Sequence, residues 1–368
     1  MKIDKNGKQA GAFDKGYAFE DLLLLPQYSD IESRSEIDLS NSLGDLSFSL
    51  PIISSPMDTV TEVEMACALA QAGGLGVIHR YNSIEEQVKL AETILSQHWA
   101  ETDKIFTGYV DEIDIVEPYE LAAAIGTTGD FLKRAVALNE AGVRVFCLDV
   151  AHGHHKLVKT ALKELRDALG SNVHIMAGNV ATRQAVDDLA DWGADSVRVG
   201  IGGGSICSTR IQTGHGLPTL QTIIDCAQTT RDVKIVADGG IKTSGDIVKA
   251  LAAGADFVML GSLLAGTDEA PGDIYENRRG EKYKAYRGMA SKEAQMDWHG
   301  RFSSLEGIST TIPYKGPVGF ILDDLERGVR SGLSYSGCRT IGELHEKAKF
   351  VEQTYAGQIE SSTHILGR

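Results

Sequence analysis

Short, nearly continuous apolar runs recur along this chain at residues 51–55, 75–79, 105–109, 144–150, 173–177, 196–200, 234–238 and 257–261. Runs of that length and composition read as strands buried on both faces, and such strands belong to parallel sheets covered by helices. Stretches of helical period lie between most of them, at 62–72, 84–96, 130–141, 155–169, 183–192 and 244–253. Gly142, Gly170, Gly193 and Gly254 stand where helix C-caps belong. Strand–helix alternation on this scale predicts an α/β fold, a (β/α)8 TIM barrel, with a doubly wound open sheet as the alternative that the same local pattern allows.

The barrel reading makes residues 1–368 a single catalytic barrel domain with additions. Residues 1–50 form an N-terminal extension whose apolar stretch, 19–25, is expected to pack over one barrel end. The charged stretch 273–284 reads as a surface hairpin or loop. Periodicity is lost over 298–314, where Gly, Ser and Thr dominate, so a mobile C-terminal flap is expected at about 290–315. Residues 320–332 then read as the last barrel helix.

Charge narrows the partners. Lys and Arg number 36 against 51 Asp and Glu, a net charge of −15. That acidic balance argues against broad nucleic-acid binding, which needs a basic face, although backbone donors can still hold a small phosphate. Five scattered cysteines, with no C-x-x-C pair, fit a reducing compartment. Residues 1–16 are polar, and no apolar run reaches membrane-spanning length. A cytoplasmic protein with no membrane partner is the expectation.

In a barrel of this kind, the residues following each strand line the mouth where chemistry takes place. The densest signal there is Gly200, Gly202, Gly203 and Gly204, followed by Ser205, Cys207, Thr209 and Arg210. Glycines let the backbone approach a ligand closely, inward carbonyls suit a cation, and inward amides suit a phosphate. Cys207 is a candidate nucleophile in that loop, or a bystander in a glycine turn. Asp238, Gly239 and Gly240 after the seventh run, with Gly261 and Ser262 after the eighth, sit where barrels commonly bind phosphate. A carboxylate such as Asp238 suits a ribose diol. His152, His154 and His155 look metal-like but lack a further ligand at suitable spacing. Arg34, between Ser33 and Ser35, is either a phosphate grip for a cofactor or a solvated surface charge. The glycine loop is not a doubly wound dinucleotide fingerprint, because it follows the sixth run and lacks the downstream acidic partner.

Residues 200–210 resemble the catalytic-cysteine loop of the IMP dehydrogenase and GMP reductase family. The resemblance extends over nearly the whole chain, through 19–26, 54–60, 149–154, 177–182, 238–241, 286–289 and 313–316. It implies a barrel enzyme in which Cys207 attacks C2 of a purine nucleotide and hydride passes between C2 and a nicotinamide. It assigns the nucleotide, GMP or IMP, to Ser205, Asp238, Gly239, Gly240, Gly261, Ser262, Tyr286, Gly288, Met289 and Gly307. The carbonyls of Gly202, Gly204 and Cys207 would hold a monovalent cation, K⁺. Asp149, Ala151 and Asn179, with Ser33 and Arg34, would contact the cofactor. A homotetramer is also implied.

Within the family the resemblance is nearer to the reductases, which implies NADPH-dependent deamination of GMP to IMP. Residues 97–128 are too few for the regulatory CBS-domain pair that dehydrogenases usually carry there. Arg301 is followed by Phe302, where dehydrogenases place a Tyr whose hydroxyl helps activate water. Glu306 and Gly307 match the reductase flap, whose Glu works with the Thr after the Cys, here Thr209, and Glu306 also has a match in some dehydrogenase flaps. Residues 54–57, 261–266 and 331–337 look more like a dehydrogenase. An NAD-dependent dehydrogenase without CBS domains and a catalytically silent nucleotide-binding protein are the alternatives.

Overall fold

The computed structural model describes residues 15–107, 119–301 and 305–361. Its centre is a ring of parallel strands: β1 (Ile52–Ser54), β2 (Val77–Ile78), β3 (Ala122–Ile125), β4 (Val145–Asp149), β5 (His174–Val180), β6 (Ser196–Val199), β7 (Lys234–Asp238) and β8 (Phe257–Leu260). Neighbours run β1-β8-β7-β6-β5-β4-β3-β2. A parallel bridge between Ile53 and Leu75 joins the two ends, with Leu75 N donating to Ile52 O at 3.0 Å. Closure removes the exposed strand edges that an open sheet would have to protect. The expected TIM barrel is the fold.

Helices α1 (Val63–Gln71), α2 (Ile84–Thr107), α3 (Phe131–Glu140), α4 (Lys156–Leu169), α5 (Arg183–Asp191), α6 (Thr219–Cys226), α7 (Ser244–Ala252) and α8 (Val318–Tyr335) follow the strands. Their sequences carry local start signals. Thr182 caps α5 by accepting from Ala185 N, and Thr243 and Asp246 form a reciprocal capping box at α7. The buried face of α4 is Val158, Ala161, Leu162 and Leu165, spaced i, i+3, i+4 and i+7.

The third strand is a correction. Residues 105–107 lie in α2, and residues 108–118 are outside those described. The strand is the short run Ala122–Ile125, wholly buried between β2 and β4. Alanine is intrinsically a helix former, so a strand rich in alanine gives a weak local signal. Burial in the closing sheet decides its state instead.

The N-terminal extension covers the barrel end with different residues from those expected. Leu22–Leu24 pairs antiparallel with Phe350–Glu352. The plug is the hairpin Asn41–Leu43 and Leu46–Phe48. Its Leu43, Leu46 and Phe48 pack with Val77, Val145, Met176, Val236 and Phe257 at the strand starts. Phe48 meets Phe257 edge-on, with ring centroids 5.8 Å apart.

With that end sealed, the opposite mouth is left for ligands. The charged stretch is a hairpin, as one of its two readings had it. Tyr275–Glu276 pairs with Lys282–Arg287, which also pairs with Ser309–Pro313. The flap is therefore more regular than its composition suggests, with a helix at Lys292–His299 and a strand at Ser309–Pro313. Among the described residues no helix is long and apolar enough to cross a membrane.

Packing at the sealed end buries His174, whose Nε2 lies 2.8 Å from Ser196 Oγ. Burial pushes its imidazole down from 6.5 to about 4, against the opposing pull of Asp195. A histidine in the unfolded chain titrates near 6.5. The unfolded chain therefore takes up a proton that the fold refuses, and stability is lost as pH falls from about 6.5 toward 4. Replacing His174 with Gln should reduce the loss of stability between pH 7 and pH 5 by up to about 2 kcal/mol, read from urea unfolding of both proteins at the two pH values.

Candidate active site

The open mouth holds a cavity of 490 Å³ walled by the C-terminal ends of the strands. Asp149 and Ala151 come from the end of β4, Asn179 from β5, and Gly202, Gly204, Ser205, Cys207 and Thr209 from the loop after β6. Asp238, Gly239 and Gly240 follow on β7, and Gly261 and Ser262 follow β8. Tyr286, Gly288, Met289, Glu306 and Gly307 close over them from the flap side. Residues far apart in sequence thus converge on one space.

Ser33 and Arg34 are not brought to it. They lie in a short turn, Arg34–Glu36, beside α8 and outside the cavity lining. Arg34 is exposed. Glu36 caps the turn and pairs with Arg339 at 3.1 Å, fixing it there. The histidine cluster is also accounted for. His154 pairs with Asp188 at 2.8 Å, and His155 Nδ1 caps α4 by accepting from Leu157 N. Among the described residues no group of three or more His, Cys, Asp or Glu could hold a metal.

The electrostatic centre of the mouth is Arg198 on β6, 5% exposed. It donates to Asp149 Oδ1 at 2.7 Å and Asp238 Oδ2 at 2.8 Å. Burial weighs against its charge, but its acidic neighbours outweigh burial and hold the guanidinium well above its ordinary range. Cys147 Sγ accepts from it at 3.1 Å, though burial pushes that thiol up to about 11, so it stays protonated near neutral pH. Asn179 Nδ2 also donates to Asp238 Oδ2, at 2.8 Å, leaving Asp238 Oδ1 free of these bonds. Sequence reasoning passed over Arg198. Its signal was a lone Arg inside the apolar run Ser-Val-Arg-Val, an expensive placement unless carboxylates meet it.

Three buried polar atoms of residues lining this end of the cavity make no hydrogen bond to the described residues, Asn179 Oδ1, Arg80 Nε and Arg198 Nε, and Arg80 Nε stands 4.0 Å from Asp149 Oδ2. Asn179 is oriented by its own bonds, because its Nδ2 faces two acceptors, Gly200 O and Asp238 Oδ2. The Tyr81 ring stacks on Trp298 of the flap helix at 4.1 Å, with Arg80 5.5 and 5.4 Å from their centroids. The flap is thereby held against the strand-two loop.

The cysteine loop is shaped chiefly by protein contacts. A Cβ on Gly200 would lie 2.0 Å from Asp238 O, and one on Gly203 would lie 2.2 Å from Thr219 Oγ1. The flap docks on this loop through its backbone: Ser208 N donates to Glu306 O at 2.9 Å and Ile308 N to Ile206 O at 3.0 Å. That register places three side chains in a row. Cys207 Sγ donates to Thr209 Oγ1 at 3.2 Å, and Thr209 Oγ1 donates to Glu306 Oε2 at 2.8 Å. A thiol is thus linked through a hydroxyl to a carboxylate, which is a route for a proton. Ser205 Oγ lies 3.3 Å from Tyr286 OH across the cavity floor.

The Gly204 carbonyl accepts from Cys207 N at 3.1 Å. The Gly202 and Cys207 carbonyls accept no hydrogen bond from the described residues. Neutral oxygens left over in a tight turn fit a weakly hydrated monovalent cation better than a transition metal.

The model of the IMP dehydrogenase / GMP reductase domain matches residues 16–364. The chain is 34% identical to the inosine-5'-monophosphate dehydrogenase of Nitrosopumilus maritimus over 471 aligned positions, covering 96% of this chain and 98% of that one. It is 32% identical to the GMP reductase of Leishmania donovani over 481 positions, again 96% and 98%. Both alignments are longer than the 368 residues here, so both relatives hold internal sequence that this chain lacks. Among solved structures, a cysteine-to-alanine variant of GMP reductase from Trypanosoma brucei in complex with guanosine 5'-monophosphate superposes with a TM-score of 0.89. The two are 31% identical, and the match covers 96% of this chain and 98% of that one.

Removing the central cation has a definite expected cost. Arg198→Met leaves the Asp149 and Asp238 carboxylates without their shared partner. A loss of about 3–5 kcal/mol is expected, measured by urea unfolding against wild type.

Proposed function

From the chain's membership of the IMP dehydrogenase / GMP reductase family, we propose that it is a GMP reductase, an oxidoreductase that converts GMP and NADPH to IMP, ammonia and NADP⁺. The observation that carries this reading is the row Cys207–Thr209–Glu306, at 3.2 and 2.8 Å. A leaving amine needs a proton, and this row can deliver one to the amino nitrogen on the carbon that the thiol attacks.

In this mechanism Cys207 Sγ bonds to C2 of GMP while the C2–N bond to the 2-amino group breaks. The thiol's proton passes through Thr209 and Glu306 and ends on the amine, which leaves as ammonia. NADPH, when bound, supplies hydride to C2. The C2–S bond then breaks, IMP leaves, and a proton taken up from solvent restores the thiol. Asp238 Oδ1 takes the ribose hydroxyls. Gly239, Gly240, Gly261, Ser262, Gly288, Met289 and Gly307 present backbone to the nucleotide, and Ser205 and Tyr286 hold its phosphate end. Asp149, Ala151 and Asn179, all on the cavity wall, orient the nicotinamide. K⁺ on the Gly202, Gly204 and Cys207 carbonyls would fix the cysteine loop by its charge.

A homotetramer is part of the proposal. Exposed Leu23, Leu25, Tyr335 and Val351 lie on the adjoining terminal segments and α8, which supports burial there against another copy.

The second reading, oxidation of IMP with NAD⁺, is supported by dehydrogenase names among the relatives. The residue that argues against it, Phe302, lies outside the described residues. One assay separates the two. GMP with NADPH should consume reduced cofactor and release ammonia, whereas IMP with NAD⁺ should produce almost none. The reverse pattern would make the dehydrogenase the right assignment. Cys207→Ala should abolish turnover with GMP binding kept, and Glu306→Gln should lower kcat by about 10²–10⁴-fold with little change in GMP affinity.

A further inference from the structure

The strand Ser309–Pro313 runs from the flap toward the loop after β8, and Lys315 follows it directly. Lys315 N donates to Gly266 O at 2.9 Å, Asp268 N donates to Gly316 O at 3.0 Å, and Thr267 and Gly316 form a parallel bridge. The segment is therefore strapped to the end of the 261–268 loop. From that strap the Lys315 side chain reaches back along the loop, where Nζ donates to Ser262 O at 2.5 Å and Leu263 O at 3.1 Å. The residue as a whole is exposed, while its ammonium is tucked against the two carbonyls.

These bonds have a consequence on the other side of the peptides. A trans peptide points its N–H opposite to its C=O. Holding Ser262 O toward Lys315 therefore turns the Leu263 N–H away from it, and a cation on the carbonyl polarises that N–H as a donor. Leu264 N and Ala265 N are spent on Gly261 O, at 3.1 and 2.9 Å. The amides of Ser262 and Leu263 donate to no described residue. Ser262 and Gly261 line the cavity. The cations that line it elsewhere, Arg80 and Arg198, are engaged with Asp149 and Asp238.

We propose that Lys315 is a positioning residue for the substrate's phosphate: it fixes the 261–264 loop at the cavity wall and turns and strengthens the free Leu263 N–H as a donor, without touching the nucleotide. This rests on the reading of that loop as a nucleotide phosphate seat, which both activities of the family share. It therefore does not depend on the direction of the reaction.

The test compares wild type, Lys315→Met and Lys315→Arg by calorimetric titration with GMP, IMP and guanosine, after thermal melting has been used to select variants that fold like wild type. Lys315→Met should weaken GMP and IMP binding by about tenfold or more while leaving guanosine affinity unchanged, because guanosine lacks the phosphate. Lys315→Arg should recover most of the loss, since it can still donate to both carbonyls. GMP affinity unchanged in Lys315→Met would overturn the inference alone, as would an equal loss for guanosine. Failure of wild type to bind either nucleotide would overturn the functional reading and this inference with it.

Discussion

A buried guanidinium that three polar side chains surround sets the geometry of the barrel mouth. Arg198 draws in Asp149 from β4 and Asp238 from β7, and Asp238 in turn holds Asn179 from β5. One cation thus fixes the ends of four adjacent strands. The penalty for burying the charge is met only because both carboxylates are present and well placed. The same network leaves Asp238 Oδ1, on the cavity wall, free of these bonds. That oxygen is therefore the remainder of a structural network rather than a separate binding group.

The reactive row depends on a second, weaker contact, the backbone docking of the flap on the cysteine loop. Glu306 reaches Thr209 because Ser208 N bonds Glu306 O, and Cys207 stands opposite Gly307 in an antiparallel bridge. Within the flap, Gly288 and Gly307 pack backbone against backbone, since a Cβ on Gly307 would sit 3.1 Å from Ser291 N and 3.3 Å from Gly288 Cα. The Thr209–Glu306 contact therefore rests on the docking of the segment that carries Glu306. The Tyr81–Trp298 stack adds a side-chain contact to the flap's docking.

What could be read in the sequence follows from which forces act locally. Seven of the barrel strands announce themselves by short, nearly continuous apolar runs, and helix caps such as Thr182 and Thr243 act within one turn. The third strand does not, because Ala122–Ile125 owes its extended state to neighbours rather than to its own residues. The site was legible where glycines and Cys207 cluster after one strand. It was not legible at Arg198, whose partners lie about 40 and 49 residues away in sequence. Loop glycines suggest room for a ligand, yet Gly200 and Gly203 make room for Asp238 and Thr219. The Arg34 turn shows the opposite limit, since residue type alone says nothing of its place beside α8.

The choice between the two family activities turns on a small part of the chain. The missing internal segment does not decide it, because the Leishmania reductase is as long across its alignment as the Nitrosopumilus dehydrogenase. Nor does the barrel, since attack by the thiol on C2 is the step that both activities would share. The difference lies in what must be protonated or deprotonated next. An amine leaves only with a proton supplied, and a carboxyl group in contact with Thr209 is placed to supply it. Water attacks only with a proton removed, for which a tyrosine hydroxyl beside Arg301 would serve and Phe302 cannot. The chemistry of one flap position and one hydroxyl–acid contact therefore carries more of the functional assignment than the overall likeness to either enzyme.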